Sequence, residues 1–239
     1  MFRKYTSVRL KRPVSSMFHI DLTQDTDSQD SDVAECNITE STKQLTKSYV
    51  LAVDIGLINS AVTWYERESK TITDILKHKI GCREDSNYEI AKSVSQWVAD
   101  LVQTCPVGGQ VSLVVIEQQI QQVGNPKFGY SKAGTWNIVI ETALHASFHS
   151  RGVETLAISP LSVAAMFSLG KKRQEKKQRA IKVINNMVSR ESEESMPACM
   201  TRLRQQIIIS PSVETKWNQK RKKDDLADSM LTMLYFLSQ

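Results

Sequence analysis

Residues 50–56 read Val-Leu-Ala-Val-Asp-Ile-Gly, four apolar residues that lead directly into an acidic residue. An unbroken apolar run of this kind is typical of a strand that is buried on both faces of a sheet. Gly56 ends the run, so Asp54 falls at the carboxyl end of the predicted strand. Ligands of α/β sheets gather beyond the carboxyl ends of strands, which makes Asp54 the first candidate site residue.

A second buried strand is predicted over residues 111–116, and it also leads directly into an acid, Glu117. If the two strands are neighbours, Asp54 and Glu117 meet beyond the same edge of the sheet. Each acid alone is explained equally well as a residue that terminates a strand. The pair is suggestive, and the prediction of a site depends on a third motif.

The third motif, residues 222–229, reads Lys-Lys-Asp-Asp-Leu-Ala-Asp-Ser and opens a helix predicted over 224–237. Asp225 and Asp228 lie three positions apart, so their side chains share one face of the first helical turn. Asp224 is explained as a helix cap or a supporting acid, because caps and the helix dipole both favour acidic residues there. A cap needs only one acid, which leaves two for another role.

These carboxylates are expected beside an apolar core, where like charges repel one another unless cations neutralise them. Oxygen donors without a nearby histidine or cysteine suit Mg²⁺, with Mn²⁺ as a substitute, rather than zinc. Two such ions per site are the usual apparatus of phosphodiester hydrolysis, in which one activates a water and the other stabilises the leaving oxygen. The predicted metal-binding and catalytic acids are Asp54, Glu117, Asp225 and Asp228.

The chain around these motifs is predicted to form a mixed α/β layer architecture. Alternating apolar residues indicate short strands, and apolar residues at helical spacing indicate the helices between them. No internal repeat is visible, and residues 189–219 are predicted to be polar and irregular. The predicted strands are 49–54, 61–65, 71–80, 111–116 and 155–158, and the predicted helices are 86–102, 135–149, 180–188 and 224–237.

The formal net charge of +5 is unevenly distributed, and beyond the first 40 residues basic residues outnumber acidic ones. This balance suits a polyanionic partner such as nucleic acid, although a merely soluble basic surface is the alternative. Residues 171–182 hold seven Lys or Arg against one Glu. Two aromatic residues in a polar loop at 124–134 are either stacking platforms for unpaired bases or simply exposed. The predicted DNA-binding residues are Lys171, Lys172, Arg173, Lys176, Lys177, Arg179, Arg221, Lys222, Lys223, Phe128 and Tyr130.

Residues 1–47 are predicted to be a disordered tail, because they are poor in large apolar residues. The first 18 residues are basic and free of acids, as in a mitochondrial presequence, a nuclear address or a DNA-binding arm. The segment from Ile20 to Thr23, followed by a run of acids, resembles a SUMO-interacting motif, in which a short strand adds to the edge of the modifier's sheet. A solvated acidic linker is the alternative.

The compartment is inferred from the cysteines and from hydropathy. The four cysteines lie far apart without a CxxC pair, which argues against a structural zinc site and a disulfide framework. No segment approaches the roughly 18 apolar residues of a membrane span. We therefore expect an intracellular protein with no membrane partner, in the nucleus or at a viral replication site of a eukaryotic cell, with the mitochondrion as the alternative.

The three motifs together resemble those of the RuvC-like Holliday-junction resolvases, in particular the fungal mitochondrial and poxvirus-type branches. The matching stretches are residues 50–56, 115–119 and 223–229, and the likeness covers 48–239. The resemblance implies an RNase H-like fold with a five-stranded mixed sheet flanked by helices. It also implies a homodimer that nicks two opposed strands of a four-way DNA junction during recombination or replication.

The resemblance also assigns roles to individual residues. Lys177, which is followed by a glutamine, matches a lysine that neutralises charge on the scissile phosphate, and the adjacent Lys176 is the alternative. The helix at 135–149 corresponds to the element that builds the dimer interface, although core packing explains its apolar face as well. Many members have an arginine after the second buried strand, whereas residues 118–122 here are uncharged. The acids that match the family's metal ligands are Asp54, Glu117, Asp225 and Asp228.

Three other functions share parts of this sequence pattern. An actin-like or sugar-kinase-like ATPase also has an acid and a glycine after its first strand, but it needs further glycine-rich phosphate loops, and this chain has only nine glycines. A non-catalytic DNA-binding protein on the same fold is favoured by loss of an acid, and all four positions are filled. An RNase H-like nuclease for another branched or hybrid substrate is the serious alternative, because a metal site does not encode substrate shape.

Overall fold

The structure is a computed structural model that describes residues 47–106, 108–119, 132–189, 198–220 and 222–239. The predicted tail lies outside the described residues except for Lys47, which opens the first strand, and the SUMO-interacting segment lies outside them as well. The strands are β1 (Lys47–Asp54), β2 (Ser60–Glu66), β3 (Thr71–His78), β4 (Gly109–Glu117), β5 (Glu154–Ile158) and β6 (Ile208–Ile209). The helices are α1 (Asn87–Gln103), α2 (Lys132–His149), α3 (Pro160–Met166), α4 (Arg173–Ser189), α5 (Ala198–Gln206), α6 (Pro211–Gln219) and α7 (Asp224–Leu237).

The strands form one mixed sheet in the order β5-β4-β1-β2-β3-β6. β1, β2 and β3 form an antiparallel meander, whereas β4 pairs with β1 and β5 pairs with β4 in parallel. The two strands predicted from their buried apolar runs, β1 and β4, are therefore neighbours at the centre of the sheet. Their carboxyl ends lie at the same edge, as the prediction of a shared acidic site requires.

Helices cover both faces of the sheet. The side chains of β1 alternate between the two apolar cores that lie under these helices. Leu51 and Val53 pack with residues of α1 and α2 on one face. Val50 and Ala52 pack on the other face with residues of α3, α4, α6 and α7. Asp54 continues the second set, so its side chain belongs to the face that carries α7.

Helix α7 is fixed against the sheet along most of its length. Its residues Leu226, Met230 and Leu234 are at most 1% exposed, and burial of each such side chain contributes about 1.5–3 kcal/mol. A buried hydrogen bond of 2.9 Å also joins the hydroxyls of Thr63 in β2 and Ser229 in α7. The first turn of α7 is therefore held at the carboxyl ends of β1 and β4.

The predicted α/β class with an RNase H-like arrangement is confirmed, but the described residues contain six strands rather than five. The sixth is the two-residue β6, which extends the edge beside β3. It lies in the segment 189–219 that was predicted to be irregular, and that prediction is wrong because α5 and α6 also form there. Ser210 caps α6, Pro211 follows at its first turn, and Val213 and Trp217 are buried at helical spacing.

Two other differences concern helices of the α7 face. Helix α3 was not predicted, although it begins as α6 does, with a capping serine, Ser159, followed by a proline, Pro160. It also began α4 at residue 180, whereas the helix starts at Arg173 and includes most of the basic run. Within the described parts of the chain, no helix has both the length and the apolar character needed to span a bilayer.

Candidate active site

The register of the sheet places charged residues in one row across its α7 face. Val53 pairs with Ile116, so the next residues, Asp54 and Glu117, lie side by side where β1 and β4 end. In the other direction Asp54 pairs with Ala61 of β2, and Ala61 pairs with Lys77 of β3. The row therefore contains two acids, a small apolar residue and a lysine.

The first turn of α7 completes the cluster from above the sheet. Asp225 and Asp228 are partly buried, and their negative charges act on Asp54, which shows that the three carboxylates lie near one another. Glu117 in turn experiences the charge of Asp228. The structure thus brings together the four acids that the sequence singled out, from three separate elements.

Burial and repulsion between neighbouring charges make three of these acids, Asp54, Glu117 and Asp228, reluctant to ionise. Burial is the largest cause that raises the pKa of Asp54 well above its ordinary value, and the charges of the neighbouring acids raise it further. Burial and the charge of Asp228 together raise the pKa of Glu117 to about 7. Burial likewise raises the pKa of Asp228 to about 6, although Lys177 opposes the rise. Without a bound cation, these surroundings therefore favour the protonated form of the three acids.

Asp224 is a supporting acid rather than the predicted cap. The residue at the cap position is Lys223, in helical geometry and without a side-chain cap bond, so the cap interpretation is wrong. Asp224 is buried, and its Oδ2 accepts a hydrogen bond of 2.5 Å from Lys177 Nζ. Burial alone would raise the pKa of Asp224, but this bond and the charges of Lys177 and Lys222 outweigh it, so the pKa lies below its ordinary value. Its Oδ1 is buried without a hydrogen-bond partner among the described residues.

Lys177 and Lys176 both lie beside the cluster on α4. Lys177 is anchored on Asp224, which raises the pKa of its ammonium, and its charge opposes the raised pKa values of Asp54 and Asp228. The charge of Lys176 acts in the same way on Glu117 and Asp228. Both lysines are therefore placed to meet a phosphate group at the acids, and the choice between them stays a prediction.

Lys77 also belongs to this cluster, although the sequence pattern did not single it out. Lys77 Nζ donates to Asp225 Oδ2 at 2.7 Å and to the backbone carbonyl of Lys222 at 3.0 Å. The signal available in the sequence was alternation, because Ile75 and Lys77 are two residues apart and must point to the same face of β3. The pairing of β3 with β2 cannot be read from the sequence, so the nearness of Lys77 to Asp225 was not predictable.

Two cavities open on either side of Asp225. The larger has a volume of about 310 Å³ and combines three of the acids with basic residues of α4. The smaller has a volume of about 250 Å³ and contains Asp54 together with Arg83, Asn59 and the partly exposed Ile58. The polar residues that line the larger cavity are Glu117, Arg173, Lys176, Lys177, Asp225 and Asp228.

The remaining predicted DNA-binding residues are distributed around this site. Arg179 pairs with Glu175 at 2.6 Å and lines a separate groove with Lys171. Lys172 is exposed, as are Arg173 at the start of α4 and Lys222 before α7, whereas Lys223 Nζ lies 4.9 Å from the ring centroid of Trp217. Three of the predicted residues lie outside the described residues, namely Arg221, Phe128 and Tyr130.

The donor chemistry of the cluster fits hard divalent cations, since its side chains offer carboxylate oxygens. The buried and unpartnered Oδ1 of Asp224 adds a further acceptor beside the cluster. No three acidic, histidine or cysteine side chains of the described residues converge closely enough to coordinate an ion as they stand. Asp225 is instead paired with Lys77 of β3, at 2.7 Å.

Comparison with known proteins identifies the fold. No family model and no curated protein matches the sequence. Among solved structures, the yeast mitochondrial Holliday junction resolvase Ydc2 is similar with 18% identity and a TM-score of 0.52, over 79% of this chain and 78% of that one. RuvC of T. thermophilus in complex with a Holliday junction substrate is similar with 12% identity and a TM-score of 0.46, over 80% and 93%. The chain therefore shares the RNase H-like fold of the yeast resolvase.

Proposed function

We propose that this protein is a metal-dependent endonuclease that resolves four-way DNA junctions. The observation that carries the proposal is the convergence of Asp54, Glu117, Asp225 and Asp228 at one edge of the sheet, where burial and repulsion raise the pKa of three of them. The basic residues of α4 that line the same cavity suit a phosphate backbone. The RuvC-like fold supports junction DNA as the substrate, because the two solved relatives are by their names a junction resolvase and a junction complex.

The four acids would hold the divalent ions, with Mg²⁺ as the natural cation and Mn²⁺ as a substitute. The bound ions supply an activated water and stabilise the leaving oxygen. Lys176 and Lys177 place positive charge beside the acids, where it stabilises the charge that develops on the scissile phosphate. Lys177 is held for this role by its bond to Asp224, which fixes the ammonium group relative to α7.

Paired, symmetric nicking requires two such sites, which we propose are brought together in a homodimer. A compartment that contains DNA, whether the nucleus, a viral replication site or the mitochondrion, is consistent with this activity. An RNase H-like nuclease for other branched or hybrid nucleic acids is the second candidate, because the same acids would serve it.

A substrate panel distinguishes the two candidates. We expect purified protein in Mg²⁺ or Mn²⁺ to nick four-way junctions at least about a hundredfold faster than linear duplex or RNA–DNA hybrid. Asp54→Asn is expected to abolish nicking and to leave junction binding largely intact, because it removes a ligand charge without removing the basic surface. Asp100→Asn, which alters an exposed acid on α1, is the matched control and should nick at the wild-type rate.

Two outcomes of this panel would contradict the proposal. Equal rates on all three substrates would reduce it to an RNase H-like nuclease of unspecified substrate. Wild-type nicking by Asp54→Asn would show that the acid cluster is not the active site.

A further inference from the structure

Lys77 is a positively charged residue of the protein itself that lies beside the proposed metal site. It occupies the same transverse row of the sheet as Asp54, separated from it only by Ala61. Because Ala61 has a short side chain, the lysine can extend over β2 toward the first turn of α7. Its Nζ is bonded to Asp225 Oδ2 at 2.7 Å.

The ion pair of Lys77 and Asp225 is better shielded from water than an ordinary surface pair. The two side chains are 21% and 16% exposed, whereas the ion pair of Arg179 with Glu175 has side chains that are 50% and 40% exposed. Shielding reduces the screening of charge by solvent, so the attraction between Lys77 and Asp225 is stronger than that of an exposed pair. Its second bond, to the carbonyl of Lys222, holds the ammonium group in place and ties β3 to the segment before α7.

Two consequences for a divalent cation follow from this position. Asp225 borders both cavities of the site, and Lys77 bonds one of the two carboxylate oxygens that this residue could offer to a metal ion. A fixed positive charge within a few ångströms of that ion also repels it. Lys77 therefore acts against metal binding in two ways, by occupying a ligand atom and by its charge.

We propose that Lys77 is a built-in counter-cation that competes with the divalent metal for Asp225 and so sets the metal affinity of the site. The proposal rests on the proposed function, since it takes the four acids as the metal ligands. Lys77 is thereby a positioning residue that acts through Asp225. Its bond stabilises the acid cluster, and metal binding requires that bond to be broken or shared.

The test is a Mn²⁺ titration of the full-length protein without DNA, followed by the electron paramagnetic resonance signal of free Mn²⁺. We expect Lys77→Met to bind Mn²⁺ about tenfold more tightly than the wild type, because the competing charge is removed. A residue with a purely structural role would change affinity in the opposite direction, since its loss would disorder Asp225. Lys77→Gln, which keeps a donor for the carbonyl of Lys222, should tighten binding in the same way.

Two controls separate charge from packing. Lys77→Arg retains the charge and should bind Mn²⁺ with nearly wild-type affinity. Lys216→Met removes a different ion pair of β3, the 2.5 Å contact with Asp74 that holds α6, and should also leave Mn²⁺ affinity unchanged. Thermal unfolding provides a second measurement, in which Lys77→Met should melt below the wild type in chelator and gain more from added Mn²⁺.

The outcomes separate this inference from the proposed function. If the wild type binds Mn²⁺ and Asp54→Asn weakens that binding, the metal site stands. Unchanged or weaker binding by Lys77→Met and Lys77→Gln would then overturn the role of Lys77 alone. Tighter binding by Lys77→Arg would also overturn it, because the charge would not be the cause. If the wild type binds no Mn²⁺, both the inference and the metal site fail.

Discussion

The beginnings of α1 and α7 show two different ways in which a helix N-terminus is stabilised. Helix α1 has a complete capping box, in which Ser86 accepts from the backbone of Glu89 and the Glu89 side chain accepts from the backbone of Ser86. Helix α7 has no side-chain cap bond, although acids fill its first turn. Those acids are bonded instead by lysines of distant elements.

The two helix starts differ in whether their stabilising contacts are local or long-range. The start of α1 is satisfied locally by residues three positions apart, so it forms wherever the helix forms. The start of α7 is satisfied only in the folded protein, by lysines 148 and 47 positions away in the sequence. The acids at the start of α7 also repel the buried Asp54, and such a cost in stability is typical of functional sites.

The largest effect is expected for a substitution at the start of α7, which should change activity and stability in opposite directions. Asp228→Asn should lower the proposed nicking rate by at least about a thousandfold, because it removes the charge of a proposed metal ligand. The same change should raise the melting temperature in chelator at pH 8 by about a few degrees, since it removes one of the repelling charges. Junction nicking and thermal unfolding of one preparation measure both effects. A variant that loses activity and melts well below the wild type would show that Asp228 has a structural role instead.

The second effect is the pH dependence of the metal-free protein. The pKa of Glu117 is raised to about 7 and that of Asp228 to about 6, so both acids bind protons more tightly in the folded state. Stability is therefore fully present below the ordinary pKa values near 4 and is lost as pH rises through about 6 to 7. The loss amounts to a few kcal/mol, which denaturant unfolding at a series of pH values in chelator would measure.

The control for this pH profile is Glu117→Gln. Its profile retains every other titrating group, including His78, whose pKa burial lowers. We expect the variant to lose less stability than the wild type between pH 5 and 8, and Mg²⁺ to flatten the wild-type profile. A variant profile that parallels the wild type would mean that Glu117 is not strained by its surroundings.

The sequence was sufficient to predict the parts of the site that depend on local pattern. Asp54 and Glu117 were singled out because each follows an apolar run that is typical of a buried strand. Asp225 and Asp228 were found because helical spacing puts them on one face. Lys77 was missed because its contact with Asp225 depends on the pairing of β3 with β2 and on the angle of α7, which are tertiary facts. The cap assigned to Asp224 failed for the same reason, since the long-range bond to Lys177 determines its role.

The smallest effect is expected at the start of α1. Ser86→Ala removes the acceptor of the capping box and should lower the free energy of unfolding by about 1 kcal/mol, or about 2–4 °C in melting temperature. Nicking should continue at the wild-type rate, because α1 lies on the face of the sheet opposite the acids. The sign of the stability change is thus the reverse of that expected for Asp228→Asn, and the loss of activity expected there is absent here. If Ser86→Ala reduced nicking without lowering stability, the division between a stabilising helix start and a catalytic one would be wrong.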